Sequence, residues 1–493
     1  MLKSSKRYAL TALVVPGLLT GCLGGNDSPL GTTSSASATS SNQVQRANDG
    51  VNIAATPQGE CGPGSKEETG LQGRVSQADH DAGRAAAGFN CNMQMVGSFV
   101  VPNTIGTVGG FKVERYVDKK GNDCAYFDST LLYPTNLLDR QQGVSVFDMK
   151  DPTKPVKTAS LITPAMLSPH ESVVVSQEGG ILAAVLGNPA FGPGIVDVYD
   201  ISQDCRKPVL KSSTPLGVFG HESGLSPDGK TFYSASPATS TLVALDISNP
   251  SLPKPLWSGN YPSHGLSLSA DGNRAYLAAM GNTNGVIILD VSEIQARKAN
   301  PQVRQISALT WDTVSIPQNA IPITIKGKPY LVEVDEYSGG SGGSPVGLNG
   351  PLVGAARMID ISDETRPKVV SNMRLEVHNI ANRETIANDP GAQNPTGGYA
   401  GHYCNVPTRV DPTIVACSMI LSGLRVFDIR DPANPVEVAY YNAPVQPRLL
   451  TLPAPASNWA MSSPAFVPER KEIWYTDGYQ GFFVVKVIND AWK

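Results

Sequence analysis

His264-Gly-Leu-Ser-Leu-Ser-Ala-Asp-Gly-Asn-Arg-Ala-Tyr-Leu-Ala-Ala279, followed by Gly285-Val-Ile-Ile-Leu-Asp290, decides the fold. Two alternating runs flank Asp271-Gly272, a dipeptide that turns a hairpin. The third run ends on an aspartate, and Val303 to Leu309 supplies a fourth. The preceding unit repeats the order: His221-Glu-Ser-Gly-Leu-Ser-Pro-Asp-Gly229, then Thr231 to Ala235, Leu242 to Asp246 and Pro255-Leu-Trp-Ser258.

The third strand recurs along the chain and ends on Asp148, Asp200, Asp246, Asp290, Asp360 and Asp428, while a seventh copy, Gly481-Phe-Phe-Val-Val-Lys486, lacks the acid. The spacings are 52, 46, 44, 70, 68 and 58 residues. Repeats of roughly 40–50 residues built from short strands are the signature of a β-propeller. The reading is an all-β, seven-bladed β-propeller of four-stranded blades, with six blades as the alternative. The last unit has three visible strands, and an orphan, Met93-Gln-Met-Val-Gly-Ser-Phe-Val100, resembles the outer strands of other units. It is expected to complete the last blade and so remove an exposed edge. The strand-ending aspartates are read as turn formers, because Asp or Asn ahead of Pro (Asp151-Pro152, Asn249-Pro250, Asp431-Pro432) bonds local backbone while Pro fixes φ.

Domain organisation follows from composition. Residues 1–21 read as a signal peptide: Lys3, Lys6 and Arg7, then a short apolar run from Tyr8 to Leu19. Leu19-Thr-Gly-Cys22 resembles a bacterial lipoprotein box, which implies lipidation of Cys22. Leu23 stands where an acidic residue would signal inner-membrane retention, so the resemblance implies an outer-membrane lipoprotein, periplasmic or surface-facing. Residues 22–60, rich in Gly, Ser and Thr, read as a disordered lipidated tether. Residues 61–91 read as a disulfide-linked N-terminal extension and 92–493 as the propeller. Six cysteines remain after Cys22, an even number that suits disulfides in an exported chain. Cys404 and Cys417 flank a hairpin and are paired on that ground. Cys61 with Cys91 and Cys124 with Cys205 stay open among the 15 pairings that six cysteines allow.

The net charge is −4, and −7 once Lys3, Lys6 and Arg7 are removed with the signal. No basic stripe is visible, which excludes nucleic acid as the expected partner. The expected partners are the membrane, through the N-terminal lipid, and a protein, glycan or small-molecule ligand on the loop face.

The third strands resemble those of the LVIVD-repeat family of bacterial and archaeal propellers, over about residues 90–490. That resemblance implies the fold and little chemistry. A fainter one, carried by the His-Gly-x-x-x-Ser-x-Asp-Gly strands and Cys61-Gly-Pro-Gly64, is to selenium-binding-protein-type propellers, which include copper-dependent methanethiol oxidases.

The histidines carry what chemistry the sequence offers. His170, His221, His264 and His402 occupy one repeat position, at the start of the innermost strand of units two, three, four and six. Four imidazoles from four blades converge on the axis in that phase, and neutral imidazole ligates copper, zinc, iron and nickel. Asn319 takes the place in unit five and Ser462 in unit seven, and unit one, around Gly109 and Gly110, has no equivalent. Glu171 and Glu222 follow two of the histidines. Strand alternation turns them to the opposite face, where they orient an imidazole rather than ligate. His378 is placed within reach of the same mouth, and His80 outside the propeller. The bland alternative is that the histidines recur by duplication and bond backbone and water.

Two functions follow: a binding or interaction module at the cell envelope, weighed first, and a metal-dependent oxidoreductase, copper-like, with its site at the channel mouth. A calcium-dependent lactonase-like site would want more converging acids than Asn319, Glu171 and Glu222 offer.

Overall fold

The computed structural model describes residues 44–46, 54–100, 109–129, 143–187, 194–280, 284–311, 316–336, 354–392, 397–446 and 458–493. The signal peptide, Cys22 and most of the tether lie outside these residues. Seven antiparallel sheets form the ring expected from the repeats, each of four strands numbered from the axis outward. In blade four these are Ser263–Leu268, Arg274–Ala279, Gly285–Asp290 and Arg304–Thr310. Blade seven takes its inner three strands from Ala465–Val467, Glu472–Asp477 and Gly481–Val487. Its outer strand is Met93–Val100, paired antiparallel with Gly481–Val487, as the orphan strand led us to expect.

The third strand of each blade is buried on both faces between neighbouring blades, which is why its sequence is continuously apolar rather than alternating. Leu424–Asp428 and Val144–Asp148 are buried throughout except for the closing aspartate. Each of those aspartates makes the turn assigned to it. Oδ1 of Asp148, Asp200, Asp246, Asp290, Asp360 and Asp428 accepts from the backbone N–H two residues on, at 2.8–3.0 Å. One residue before the aspartate position, the outer strand of all seven blades slips register by one, for example between Ile288 and Leu289. A bulge there adds right-handed twist to the edge of each blade. Blades seven and one meet over an aromatic seam in which Phe127 and Phe482 stack at 5.1 Å.

The stretch expected to be structureless to residue 60 carries ordered pieces. Val44–Arg46 adds a parallel fifth strand to the outer edge of blade four. Thr56 and Gly59 donate backbone hydrogen bonds to the Arg374 and Glu437 carbonyls of blades five and six. The extension continues this wrap: Phe89–Cys91 pairs with the outer strand of blade six, and Glu68 meets the buried guanidinium of Arg425. Polar backbone drawn onto sheet edges satisfies donors that water would otherwise take, so composition alone was a poor guide to order here.

The disulfides are Cys61–Cys91, Cys124–Cys205 and Cys404–Cys417. Three such bonds fit an exported protein folded in an oxidising compartment. Among the described residues no helix is long and apolar enough to cross a membrane.

Candidate metal centre

At or just ahead of the N-terminal end of each inner strand, two successive residues of the repeat make up two layers. The first layer holds Phe111, His170, His221, His264, Gln318, His402 and Ser462. The second holds the residue that follows each of them: Lys112, Glu171, Glu222, Gly265, Asn319, Tyr403 and Ser463.

Two assignments differ from the sequence reading. In blade four the register skips His264, since Ser263 pairs with Ala279 and Gly265 with Ala278. Blade five skips Gln318 in the same way, pairing Pro317 with Asp335 and Asn319 with Val334. The bulge therefore puts Gln318, not Asn319, in phase with the histidines. In blade one Phe111 stands in the histidine layer, 5.3 Å from the rings of both His170 and His402.

All four in-phase histidines come together. The rings of His170 and His221 lie 4.3 Å apart and those of His221 and His264 4.2 Å apart. Two imidazoles share one design: the Nδ1 of His264 is anchored by the Pro317 carbonyl at 2.8 Å and that of His402 by the Met461 carbonyl at 2.5 Å, which leaves each Nε2 facing Glu336. His221 Nδ1 lies 2.9 Å from Glu171 Oε2 as an ion-pair contact. His221 Nε2 and His264 Nε2 are 3.1 Å apart. Glu336, from the far end of blade five's second strand, faces His264 Nε2 at 3.5 Å and His402 Nε2 at 3.1 Å. His170, Glu171 and His221 also offer one donor atom each within 4.8 Å of one another.

Glu171 is not turned away, as alternation along a strand would have it. His170 and Glu171 sit in a turn ahead of the strand with φ of 41° and 71°, so the period-two rule does not reach them. The Glu171 carboxylate lies between His221 and His402, and also accepts from Tyr403 at 2.8 Å and Gln318 at 2.5 Å. Glu222 touches no histidine among its recorded contacts. It accepts from Lys112 and Asn319 at 2.6 Å each. His378 does not join the group: Leu375 N–H and the Tyr399 carbonyl engage its two ring nitrogens at 3.1 and 2.7 Å, leaving none for a metal. His80 lies on the N-terminal extension, in Gln77–Asp81.

The charges interlock. Burial would raise the Glu171 carboxyl, but His221 and His402 hold it well below the usual carboxylate range. Burial would lower His221, and Glu171 outweighs it. His402, also opposed by burial, is pushed up to about 10 by Glu171 and Glu336. Burial and the neighbouring His221 hold His264 well below its ordinary value. Burial raises Glu336 against the pull of His402. Without a metal, then, His402 carries a proton, and His221, raised by Glu171, meets the depressed His264 across the 3.1 Å contact of their Nε2 atoms.

Sequence reasoning missed Glu336, Gln318, Tyr403, Lys112 and Phe111. Only Phe111-Lys112 had a usable signal, its spacing ahead of the first blade's second strand.

Residues 238–261, in blade three, match the LVIVD repeat family. No curated protein matches the chain. Among solved structures, a Bacteroides uniformis protein provisionally assigned as a 6-phosphogluconolactonase is 13% identical, with 70% of this chain and 87% of that one covered at a TM-score of 0.47. Hydrazine synthase of Kuenenia stuttgartiensis is 14% identical (79% and 99% covered, TM-score 0.46). Periplasmic gluconolactonase of Pseudomonas aeruginosa is 12% identical (68% and 88% covered, TM-score 0.42). Likenesses at these scores carry no statement about activity.

Proposed function

We propose that this propeller is an exported metalloprotein of the oxidoreductase class, tethered to the outer membrane through lipid on Cys22, with a first-row transition metal at the histidine layer. One observation carries the reading: His221 Nε2 and His264 Nε2 meet at 3.1 Å, and Glu336 faces the Nε2 atoms of both His264 and His402. Anchoring the outer nitrogen fixes the tautomer that a metal-binding imidazole needs. Ligands at about 2.0–2.2 Å from a tetrahedral ion stand about 3.4 Å from one another, and the His221–His264, His264–Glu336 and His402–Glu336 separations are 3.1, 3.5 and 3.1 Å.

Charge supports the same reading. Glu171 and Glu336 set two carboxylates among the imidazoles, and a dication that displaces the His402 proton supplies the counter-charge they need. His221, His264, His402 and Glu336 would hold the ion, with His170 beside them. Glu171 would orient His221, and Tyr403 and Gln318 would steady Glu171. An imidazole-rich set with a carboxylate suits copper, iron or zinc; of these, copper and iron supply one-electron chemistry. The redox class is drawn from the likeness to selenium-binding-protein-type propellers.

The sequence weighed a binding module first. The geometry favours the metal because histidines serving only a solvated mouth have no need of burial, yet His264 and His402 are fully enclosed. The test is metal content by plasma mass spectrometry on untagged protein from the periplasm, beside His221→Ala/His264→Ala. About one ion per chain, lost in the variant, supports the reading. No ion in either, even after reconstitution with copper, iron and zinc, returns the protein to the binding class.

A further inference from the structure

Below the second layer the channel widens into a cavity of about 560 Å³ that runs toward the C-terminal ends of the inner strands. No histidine lines it. Its floor is Lys112, Glu222 and Asn319, and its walls include Val174, Leu266 and Ile323. The volume is in the range of small-molecule sites, and an apolar wall with a few convergent polar groups is their usual make-up.

The floor has a particular hydrogen-bonding deficit. Lys112 and Asn319 both donate to Oε1 of Glu222. Oε2 of Glu222 and Oδ1 of Asn319 are buried and have no partner among the described residues. Both side chains are more than nine-tenths buried, with residue exposures of 1% and 4%. The Lys112 ammonium has three N–H groups and gives one to Glu222. So the floor presents two unused acceptors beside the Lys112 ammonium, which also lies 5.0 Å from the centre of the Tyr403 ring.

Charge decides the ligand class. Lys112 and Glu222 offset each other at 2.6 Å. Glu114 and Arg409 line the wall, the Arg409 guanidinium donating to the Pro322 carbonyl at 3.2 Å. On the floor itself the ammonium and the carboxylate already neutralise each other, so a charged head seated there would have to break that buried pair, which is costly. A hydroxyl need not: it donates to a free acceptor and accepts from Lys112.

We propose that this cavity binds a neutral small molecule with a hydroxyl head, seated on Lys112, Glu222 and Asn319, and an aliphatic body along the wall. The site stands apart from the metal centre and does not depend on the metal reading.

The test uses the full chain with Cys22→Ser, chelator-treated, and three probes with one body: cyclohexanol, cyclohexanecarboxylate and cyclohexylammonium, followed by saturation-transfer NMR titration. Cyclohexanol is expected to saturate at least about tenfold below the two charged probes. Leu268→Trp, which fills the half-buried wall, is expected to weaken it at least about tenfold while melting within a few degrees of the parent. Asn319→Ala, which removes one unused acceptor, is expected to weaken cyclohexanol without changing the charged probes. Saturation by no probe, equal or tighter binding of a charged probe, or cyclohexanol binding indifferent to Leu268→Trp overturns the proposal.

Discussion

A β-carbon on Gly265 would stand 2.0 Å from Oε2 of Glu222 and 2.2 Å from the Gln318 carbonyl. The carboxylate of blade three thus occupies the volume that blade four's missing side chain leaves. The glycine is required by close approach and not by a turn.

Gly265→Ala should therefore expel Glu222 from its place beside Lys112. Forcing a methyl into a packed layer costs about 1–3 kcal/mol, and a displaced Glu222 leaves the buried Lys112 ammonium without its carboxylate. Denaturant unfolding should show a loss at or above that range. A loss below about 0.5 kcal/mol would mean that the carboxylate has room to move.

Metal uptake should release protons. His402 holds its proton in the metal-free protein, with a value near 10, and Glu171 raises His221. Calorimetric titration with a divalent ion at pH 7 in two buffers of different ionisation enthalpy should give about one proton or more released per ion. Apparent affinity should then rise with pH, and proton release near zero would show that the His402 proton is not displaced.

Glu171 and Glu222 follow histidines in identical His-Glu-Ser triplets, yet only Glu171 touches imidazole. Glu171→Gln should weaken metal binding about 10–100-fold, the usual effect of removing the group behind a ligating histidine. Glu222→Gln should stay within about threefold of the parent. Chelator competition measures both, and equal effects would remove the distinction.

Those triplets also show where sequence reading stops. The phase of the four histidines was legible because the repeat fixes which residue begins each inner strand. What the repeat cannot show is local deviation from it. A turn with positive φ sends Glu171 onto the imidazoles, while an identical triplet sends Glu222 to Lys112 and Asn319. One bulged residue moves Gln318 into phase and Asn319 out. Glu336 was invisible for another reason: it arrives on a second strand, Lys328–Glu336, that outruns its counterparts in the other blades. The aspartate-ended strands, by contrast, are local and periodic and carried the blade count, while the likeness of Met93–Val100 to the outer strands carried the closing strand.

Acid should act through His378. Burial, with Arg374 and Arg425 nearby, lowers it to about 3. A histidine depressed in the fold contributes stability that is present above its unfolded value near 6.5 and is lost as pH falls from there toward 3. Each such group adds a slope of about 1.4 kcal/mol per pH unit across that window. Urea unfolding between pH 6.5 and 4 should show a slope that His378→Gln reduces by about one proton, with little change at pH 8.

Cys404 and Cys417 sit opposite each other across the first two strands of blade six, one residue beyond Tyr403. The double change Cys404→Ser/Cys417→Ser opens a loop closed at a separation of 13 residues. It should cost about 2–4 kcal/mol and loosen His402 by way of its strand, so that metal dissociates faster as well. Unchanged dissociation with lowered stability would separate the two.

The strand that completes blade seven comes before blade one in the chain, and this sets an order in time. Met93–Val100 leaves a ribosome or a translocation channel early, while its partner Gly481–Val487 follows almost 400 residues later. Throughout that interval Met93–Val100 is a strand without its sheet, the state that invites pairing with other chains. Shielding it would be a task for chaperones, and the third strand of blade seven is the latch whose arrival ends their work.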